Sequence, residues 1–379
     1  MKNRNAKGGG SVRQREDGTW EARCTINGKR RSFYGKKQSE VVKAMRAALS
    51  AADAGTFVEP SKMTVEQWLF TWLEEYARPS VKPLTYSAYR TSINTHIIPG
   101  IGSIKLTALN PTQVQTFYND LLRKKQLSPK TIKNTNGILH KALEQAQKLR
   151  YINTNVTDMC TVPRVEKTEI KPLTEDEIAM FIECAREDEY ADILIVALFT
   201  GMRRGELCGL SWDAIDFKRG TISVKQQLCA SREDYSYYIA STKSDRIRTL
   251  KAPKFIIDIF SRIKKEQASQ RLKCGFLWQD KHNLVFTSPT GKHIVPVTLY
   301  AHFKRIAEKI GRADARLHDL RHTYAVTALQ EGDDVKTVQQ NLGHATASFT
   351  LDVYGHVSER MKQESADRME RFYNKVNNG

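Results

Sequence analysis

Apolar and polar positions near the start of the chain alternate with a period of two, which is typical of a strand with one buried face. The apolar face of this predicted strand consists of Trp20, Ala22, Cys24 and Ile26. The dipeptides Asp17-Gly18 and Asn27-Gly28 flank the strand, and both favour the tight turn of a β-hairpin. The pattern therefore predicts neighbouring strands around residues 11–15 and 30–34.

A helix is predicted next, because apolar residues recur there at helical spacing. These residues are Val41, Met45, Ala48, Leu49 and Ala52. Gly55 is the predicted end of the helix, since glycine adopts the left-handed conformation that commonly terminates helices. Residues 1–55 are therefore predicted to form a small domain of three strands and one packed helix.

The polar face of this predicted sheet is basic. Residues 1–60 contain 13 lysines and arginines against 6 acidic residues. Alternation places on that face Arg13, Arg15, Arg23 and Arg30, with Tyr34 beside them. A basic sheet face can enter the major groove of DNA, so the four arginines are predicted DNA contacts. The alternative is a solvated basic surface with no sequence preference.

Residues 62–160 are predicted to form a second, helical domain. Thr64 is a predicted N-cap with Gln67 at the third helical position, and an apolar stripe follows. Further helical patterns begin after residues 80–86 and 127–132, and the run Pro99-Gly100-Ile101-Gly102 predicts a break between helices. About four helices are expected.

Several polar residues lie at or just after the predicted helix starts of this second domain. They are Lys82, Thr85, Tyr86, Arg90, Lys130, Thr131 and Lys133. Backbone amides and the positive end of the helix dipole favour phosphate at such places, which makes these residues predicted DNA contacts. The alternative for any one of them is that it caps its helix or keeps it soluble.

Residues 170–379 form the third predicted domain. Thr174 is a predicted N-cap followed by acidic residues, helices dominate, and a β-rich interval lies between about Gly220 and Leu250. The tail from Val357 to Val376 has an amphipathic helical pattern, and the pattern alone leaves open whether it packs on its own domain or on a neighbouring subunit. The predicted fold class is α+β, multi-domain.

The charge of the whole chain indicates a polyanionic partner. The 379 residues carry a formal net charge of +18 with a pI of about 9.6, and nucleic acid is the leading candidate because binding it releases counter-ions. The six cysteines form no Cys-x-x-Cys pair, which favours reduced thiols over a zinc site or a disulfide framework. No signal or membrane segment is predicted, so the expected location is the cytoplasm, bound to the nucleoid when on DNA.

Four motifs carry the candidate chemistry. They are Thr200-Gly201-Met202-Arg203-Arg204-Gly205-Glu206, Leu317-His318-Asp319-Leu320-Arg321-His322, Asn341-Leu342-Gly343-His344 and Leu351-Asp352-Val353-Tyr354. Two arginines, two histidines and a late tyrosine in this order, with ten positions from His344 to Tyr354, resemble the catalytic apparatus of the tyrosine recombinases, the phage integrases and their relatives. The first 55 residues resemble, in pattern only, the arm-site-binding domain of integrases.

The resemblance implies a role for each matched residue. Tyr354 would be the nucleophile, and Arg203 and Arg321 would hold the non-bridging phosphate oxygens. His318 would be the general base, and His344 would donate a hydrogen bond to a non-bridging oxygen. Lys243, in a predicted hairpin tip, would protonate the 5′-oxygen, although Lys225, Arg246 and Arg248 are also nearby in sequence.

The implied activity is site-specific recombination that integrates and excises a phage or conjugative transposon. The products would be a 3′-phosphotyrosine and a free 5′-hydroxyl, formed without metal or other cofactor, and four protomers would pass through a Holliday junction. The implied partners are double-stranded DNA with core and arm sites, a host bending protein and an excision factor. The resemblance also favours docking of the C-terminal helix in trans.

Three other functions remain open at this stage. A type IB topoisomerase-like enzyme shares the chemistry, but it needs neither a small N-terminal reader nor a trailing helix. A chromosome-dimer resolvase usually lacks an arm-binding domain. A DNA-binding protein without catalytic activity would need none of the motif residues. Beside the motifs, Glu206 is predicted to position an arginine or cap local backbone, Tyr324 to lie in the core, and His322 and His356 to be structural or on the surface.

Overall fold

The computed structural model describes residues 10–55, 57, 62–166, 171–231, 236–242, 247–343 and 359–377. The chain divides into two compact units, Met1–Lys167 and Thr168–Gly379. The fold is mixed α+β, as the sequence predicts. Lys243, His344, Tyr354 and His356 lie outside the described residues.

The first unit begins with an antiparallel sheet of three strands. They are β1 (Ser11–Gln14), β2 (Trp20–Ile26) and β3 (Lys29–Gly35), in the order β1-β2-β3. Helix α1 (Gln38–Asp53) packs on one face, and the buried residues between them are Ala22, Cys24, Ile26, Val41 and Met45. The period-two pattern and the helical spacing thus predicted this core, with Trp20 only half-buried at its edge.

Four helical stretches make up the rest of the first unit. They are α2 (Val65–Thr71), extended by a π-helical segment Trp72–Ala77; α3 (Pro83–Ser92), extended by a π-helical segment Ile93–Ile97 and by α4 (Ile98–Ile101); α5 (Pro111–Arg123); and α6 (Pro129–Lys148). Thr64 caps α2 through a reciprocal capping box with Gln67, as predicted. The apolar stripe of α2 is buried against α6, where the indole of Trp68 donates to the carbonyl of Ala142 at 2.8 Å.

The predicted break at residues 99–102 falls at the end of this run: the helix continues through Pro99 to Ile101 and ends there, with Gly102 as its C-cap. Pro99 lacks an amide hydrogen and directly follows the π-helical segment Ile93–Ile97 and Ile98, where the regular α-helical hydrogen-bond pattern is already interrupted. Gly100 is needed for packing rather than for a turn, since a Cβ there would lie 2.5 Å from Cδ2 of Phe117.

The second unit is mainly helical. Its helices are α7 (Glu175–Arg186), α8 (Ala191–Thr200), α9 (Arg204–Cys208), α10 (Lys254–Cys274), α11 (Pro296–Lys309), α12 (Asp319–Gln330), α13 (Val335–Leu342) and α14 (Glu359–Asn377). Helix α7 starts at the predicted N-cap Thr174, which the structure shows in a capping box with Glu177. Helix α8 is apolar on nearly every side, because the core of the unit encloses it. The first motif begins at Thr200, the last residue of this helix.

Short strands occupy the predicted β-rich interval. They are β4 (Ile215–Asp216), β5 (Thr221–Val224), β6 (Gln226–Ala230), β7 (Tyr237–Ser241) and β8 (Arg248–Lys251). β4, β5 and β8 form one antiparallel sheet, and β6 and β7 form a two-stranded one. Among the described helices, none combines the length and the apolar character that crossing a membrane requires.

Candidate active site

The turn between α8 and α9 sets the position of Arg203. Helix α8 ends at Gly201, which has φ of +61° and therefore favours glycine. A Cβ at Gly201 would lie 2.6 Å from Cδ2 of Leu342 and 2.6 Å from Cδ1 of Tyr324, so helices α12 and α13 pack directly on this turn. Arg203 then adopts an extended conformation as the N-cap of α9.

Glu206, three residues after Arg203, binds both the side chain and the backbone of Arg203. Its side chain is 1% exposed and accepts from Nη1 of Arg203 at 2.7 Å and from the Arg203 backbone amide at 2.8 Å. The prediction that Glu206 positions an arginine or caps local backbone is confirmed, since it does both. The Arg203 side chain keeps about a quarter of its surface exposed, so it can still reach a ligand.

Arg321 is almost completely buried, with 2% of its surface exposed. Its Nη1 donates to the carbonyl of Gly201 at 2.7 Å, and its Nη2 donates to the carbonyl of Leu342 at 2.6 Å. The guanidinium thus lies between the last residues of α8 and α13. Both of these bonds are to backbone carbonyls, so they hold the guanidinium against the ends of two helices.

His318 immediately precedes α12 and is one turn from Arg321. Its ring keeps an exposed surface, yet neighbouring protein atoms displace enough water to lower its pKa to about 4. The nearby positive charges of His322, Arg321 and Arg203 lower the pKa further. His318 is therefore neutral near pH 7 and can accept a proton.

A hydrogen bond also joins two of the motifs. Nη1 of Arg321 donates to the carbonyl of Gly201 at 2.7 Å, so the first and second motifs meet in the described part of the unit. His322 is buried beside His318, with ring centroids 4.9 Å apart and the rings at 87°. Asp319 is also buried and accepts from the backbone amide of Arg316 at 2.8 Å, which fixes the start of α12.

Tyr324 lies on α12 and is half-buried, and its hydroxyl accepts a 3.0 Å hydrogen bond from Nδ2 of Asn341. Burial raises the pKa of its phenol. A raised pKa is unfavourable for a nucleophilic phenolate, which agrees with the predicted structural role of Tyr324.

The remaining predicted catalytic residues, Lys243, His344 and Tyr354, cannot be placed, because they lie outside the described residues. The described stretch 247–343 ends beside the site at Gly343, the left-handed C-cap of α13. Gly343 directly follows Leu342, whose carbonyl Arg321 binds, and His344 is the next residue in the sequence.

Sequence reasoning gave Arg248 only as an alternative to Lys243. The structure instead buries its side chain to 10% exposure against Glu206. Nothing in the local sequence signals this contact, because Arg248 and Glu206 are 42 positions apart.

The strand register brings the predicted basic residues of the first sheet together. Arg13 lies opposite Glu21, Glu21 lies opposite Tyr34, and Thr25 lies opposite Arg30. Sequence reasoning missed Glu21, which has 1% side-chain exposure on this polar face. Its carboxylate accepts from Nε of Arg13 at 2.8 Å and from Nε of Arg23 at 2.7 Å.

These bonds give Glu21 an unusually acidic carboxyl. The hydrogen bond from Arg23 and the one from Arg13, against some opposing desolvation, lower the pKa of Glu21 to about 2. Arg15 lies over the ring of Tyr34, with its Cζ 5.6 Å from the ring centroid. The acid's position two residues before Arg23 on one strand was the available sequence signal.

The predicted contacts in the helices of the first unit fall into two separate groups. Ser92 of α3 meets Thr135 of α6 with 3.3 Å between the hydroxyl oxygens, and Tyr89 meets Lys141 at 3.0 Å. The helices are therefore antiparallel, and their N-termini lie at opposite ends of the pair. The group Lys82, Thr85, Tyr86 and Arg90 is thus apart from the group Lys130, Thr131 and Lys133.

Tyr86 and Thr131 are among the members of these groups that have partners inside the domain. The hydroxyl of Tyr86 donates to the carboxylate of Glu74, and that hydrogen bond raises the tyrosine's pKa. The amide of Thr131 donates to the Ser128 hydroxyl at 3.1 Å as part of the α6 cap. Lys82, Arg90, Lys130 and Lys133 are exposed.

Comparison with known proteins places these features in a family. Residues 171–361 match the Phage integrase family, and residues 64–122 match the N-terminal SAM-like domain of phage integrases. The chain belongs to the phage integrase family. The first match includes all four motifs, with Arg203, His318, Arg321, His344 and Tyr354.

Similar integrases and recombinases cover most of the chain. A tyrosine recombinase XerC-like protein of Caldanaerobacter subterraneus subsp. tengcongensis is 29% identical over 366 residues, covering 90% of this chain and 92% of that protein. The integrase of transposon Tn1549, solved with a circular intermediate DNA, has a TM-score of 0.68 at 22% identity and covers 81% of this chain and 100% of its own. A lambda integrase tetramer bound to a Holliday junction has a TM-score of 0.58 at 18% identity, covering 94% of this chain and 99% of its own.

This integrase is accordingly an enzyme, a tyrosine recombinase that recombines DNA at specific sites. The resemblance found in the motifs is confirmed at the level of family, fold and activity. The family does not by itself assign the individual residues, and their roles depend on the geometry described above.

Proposed function

We propose that this integrase cleaves and rejoins DNA through a covalent 3′-phosphotyrosine at Tyr354, to integrate and excise a mobile element. The observation that carries the proposal is the meeting of two distant motifs: Arg321, one turn from His318, donates to the carbonyl of Gly201, two residues before Arg203. As the nucleophile attacks, the phosphodiester gains negative charge that cations must stabilise, and the nucleophile must lose its proton to a base. This arrangement supplies both.

Each arginine has a distinct way of meeting phosphate. Within the described residues, the Arg203 side chain uses Nη1 to bind Glu206 and keeps about a quarter of its surface exposed. This exposed part would bind a non-bridging oxygen of the phosphate. Arg321 uses one N–H of each terminal nitrogen on a carbonyl. Guanidinium has five N–H groups in a planar fork, and one of those on Arg321 would bind the second non-bridging oxygen.

The proton transfers follow from the charge states. His318 takes the phenolic proton of Tyr354 as the bond from the tyrosine oxygen to phosphorus forms. The bond from phosphorus to the 5′-oxygen breaks, and Lys243 gives that oxygen its proton. His344 donates a hydrogen bond to a non-bridging oxygen. A second DNA 5′-hydroxyl then reverses the steps and reseals the strand, so no cofactor takes part.

Three domains would divide the DNA-binding work. Residues 1–55 bind arm sites with Arg13, Arg15, Arg23 and Arg30. Residues 62–160 bind core sites with Lys82, Thr85, Tyr86, Arg90, Lys130, Thr131 and Lys133. Residues 170–379 carry the chemistry. The two separate groups in the second domain suit a domain that spans core DNA with both ends of its helix pair.

Assembly would follow the lambda integrase, whose tetramer has been solved on a Holliday junction. Four copies would exchange one pair of strands and then the other, with α14 docking on a neighbouring subunit. The exposed Met369, Phe372, Tyr373 and Val376 on this helix support such docking. A host bending protein and an excision factor would set the direction of the reaction.

The test is a suicide-substrate assay with nicked core-site DNA taken from the flanks of the gene's own element, run in EDTA and resolved on a denaturing gel. A protein–DNA adduct is expected with the native chain and not with Tyr354→Phe, which should still bind the DNA. An adduct formed by Tyr354→Phe would disprove the assignment of the nucleophile. Relaxation of plasmids that lack the site would favour a topoisomerase-like activity instead.

A further inference from the structure

Arg248 is a buried arginine of the catalytic domain to which the mechanism above assigns no step. It begins β8, directly after the segment that carries Lys243. Its side chain is 10% exposed, so most of its surface lies against other protein groups. Its role must therefore lie in the protein groups that it contacts.

All three guanidinium nitrogens of Arg248 donate to protein oxygens. Nη1 and Nη2 bind the two carboxylate oxygens of Glu206 at 2.9 and 2.6 Å, and Nε binds the carbonyl of Asn341 at 2.8 Å. Bidentate arginine–carboxylate pairs fix orientation as well as distance. Arg248 therefore connects α9 to the last turn of α13.

The carboxylate in this pair is the one that holds Arg203. Oε1 of Glu206 accepts from Nη1 of Arg203 at 2.7 Å and from Nη1 of Arg248 at 2.9 Å. Burial raises the pKa of Glu206, but the hydrogen bonds and charge of Arg248, followed by the charge of Arg203, lower it to about 2. Arg248 thereby keeps a buried carboxylate ionised for Arg203 to bind.

Arg248 packs closely against the end of α13. A Cβ at Gly343 would lie 2.9 Å from Cδ of Arg248, and Gly343 also has φ of +66°. Glycine at this position permits both the left-handed helix end and the close approach of the arginine. The residue after Gly343 is His344.

We propose that Arg248 is a positioning residue for strand cleavage. It fixes Glu206, and through it Arg203, against the end of α13 from which the chain continues to His344. The proposal rests on the proposed role of Arg203 in binding the scissile phosphate. Arg248 itself touches neither the DNA nor the reacting atoms.

The test compares single-turnover cleavage by Arg248→Met with that of the native chain. Methionine keeps much of the side-chain volume without the fork, and a misplaced Arg203 is expected to slow cleavage about 10²-fold, with DNA affinity unchanged. Arg262→Met is the control, because it removes an arginine that pairs with Asp192 and Glu266 on α8 and α10. This control is expected to cleave at the native rate.

The pH profile separates positioning from general loss of structure. The charged groups that interact with Glu206 are Arg203, at the start of α9, and Arg248, on β8. In Arg248→Met, burial is expected to raise the pKa of the Glu206 carboxyl, because the hydrogen bonds and charge of Arg248 no longer oppose it. Cleavage by Arg248→Met is expected to weaken further as the pH falls from 8 to 5. The double variant Arg248→Met/Glu206→Gln should lose this dependence, since glutamine does not titrate. Titration of His318 is common to all variants.

Two results would overturn the proposal. One is cleavage by Arg248→Met within threefold of native. The other is a loss that is equal at every pH or is matched by a loss of folded protein in circular dichroism. If Arg248→Met does not fold, Arg248→Lys keeps the charge but not the fork, and native-rate cleavage by it would equally refute the proposal. If only the role of Arg248 is wrong, the native chain still forms the protein–DNA adduct. If the proposed function is wrong, the native chain forms no adduct.

Discussion

The guanidinium of Arg321 donates to the carbonyl of Gly201 at 2.7 Å, across 120 positions of the chain. Its second bond, to Leu342, places the same cation at the C-terminal ends of α8 and α13. Carbonyls at helix ends lack intrahelical partners and carry the negative end of the helix dipole, so a buried positive charge is favourable there. The group proposed to bind phosphate also joins two helices of its own domain.

Arg321→Lys is expected to weaken both functions of this residue. Lysine cannot span two carbonyls with a planar fork, so the free energy of unfolding should fall by about 1–3 kcal/mol. Cleavage should slow by about 10²–10³-fold, as for loss of a donor to developing charge. Urea denaturation and the suicide-substrate assay measure the two effects.

The matched control is Arg312→Lys. Arg312 also has a largely buried side chain and donates to the carbonyl of Lys171 at 3.0 Å and to Glu177 at 2.8 Å. This variant should lose stability and keep its cleavage rate once the folded fraction is taken into account. Equal cleavage by the two variants would contradict a role for Arg321 in the reaction.

Gly201→Ala should disrupt the packing of α12 and α13 against the end of α8. The left-handed backbone is strained for alanine, and its Cβ would also overlap Leu342 and Tyr324. The expected loss of stability is about 2–4 kcal/mol, from strain and overpacking together. Gly311→Ala isolates the strain, because φ there is +74° and no atom lies within 4 Å of the added Cβ. If both variants melt alike, the packing at Gly201 is not tight.

His318 should titrate far below an ordinary histidine. NMR of the DNA-free protein is expected to give a midpoint near pH 4, compared with 6.5 for an unperturbed side chain. Replacing the neighbouring His322 by asparagine should raise that midpoint, since the charge of His322 is one cause of the shift. A midpoint near 6.5 in the native chain would show that burial and the neighbouring charges do not shift the pKa of His318.

The same shift predicts the direction of a stability change. Between pH 6.5 and 4 the unfolded chain binds a proton at His318 that the folded chain does not, so stability falls as the pH is lowered through that range. The free energy of unfolding of His318→Asn, measured in urea at pH 7 and pH 5, should decline less than that of the native chain.

Glu21→Gln should reduce sequence discrimination by the N-terminal sheet. Glu21 orients Arg13 and Arg23 through their Nε atoms, which leaves the terminal nitrogens to read guanine. Without its charge the arginines are expected to bind DNA at least as tightly, but the preference for an arm site over random DNA should fall about tenfold. Fluorescence anisotropy with both DNAs measures this ratio.

Glu16→Gln provides the control for the change of net charge. Glu16 is exposed in the turn between β1 and β2 of the same domain. Its replacement should strengthen binding to both DNAs equally and leave the preference intact. An identical effect of the two variants would show that Glu21 acts through charge alone.

Local patterns predicted the elements well, because each depends on residues that are close in sequence. The alternation through Trp20 and Ile26, and the capping boxes at Thr64 and Thr174, gave strands and helix starts at their observed places. The run Pro99–Gly102 contains the helix end, but proline and glycine did not mark its position, because the helix continues through Pro99 and through Gly100, which packs against Phe117.

The contacts that assemble the site were less accessible to sequence reasoning. The bonds of Arg321 to Gly201 and of Arg248 to Glu206 join residues that only the tertiary fold brings together. Motif spacing identified Arg321 as a catalytic candidate, but it could not reveal that Arg321 also caps two helices. Glu21 was missed because an acid on a basic face contradicts the simple expectation from net charge.

The sharing of one carboxylate by two arginines has a consequence for the resting protein. Arg203, Arg248 and Arg321 bring three fixed positive charges into the site, and Glu206 cancels only one of them. Two positive charges therefore remain among these four side chains, and they favour a phosphodiester as it gains negative charge during attack. Simple divalent anions such as sulfate should compete with DNA for this place.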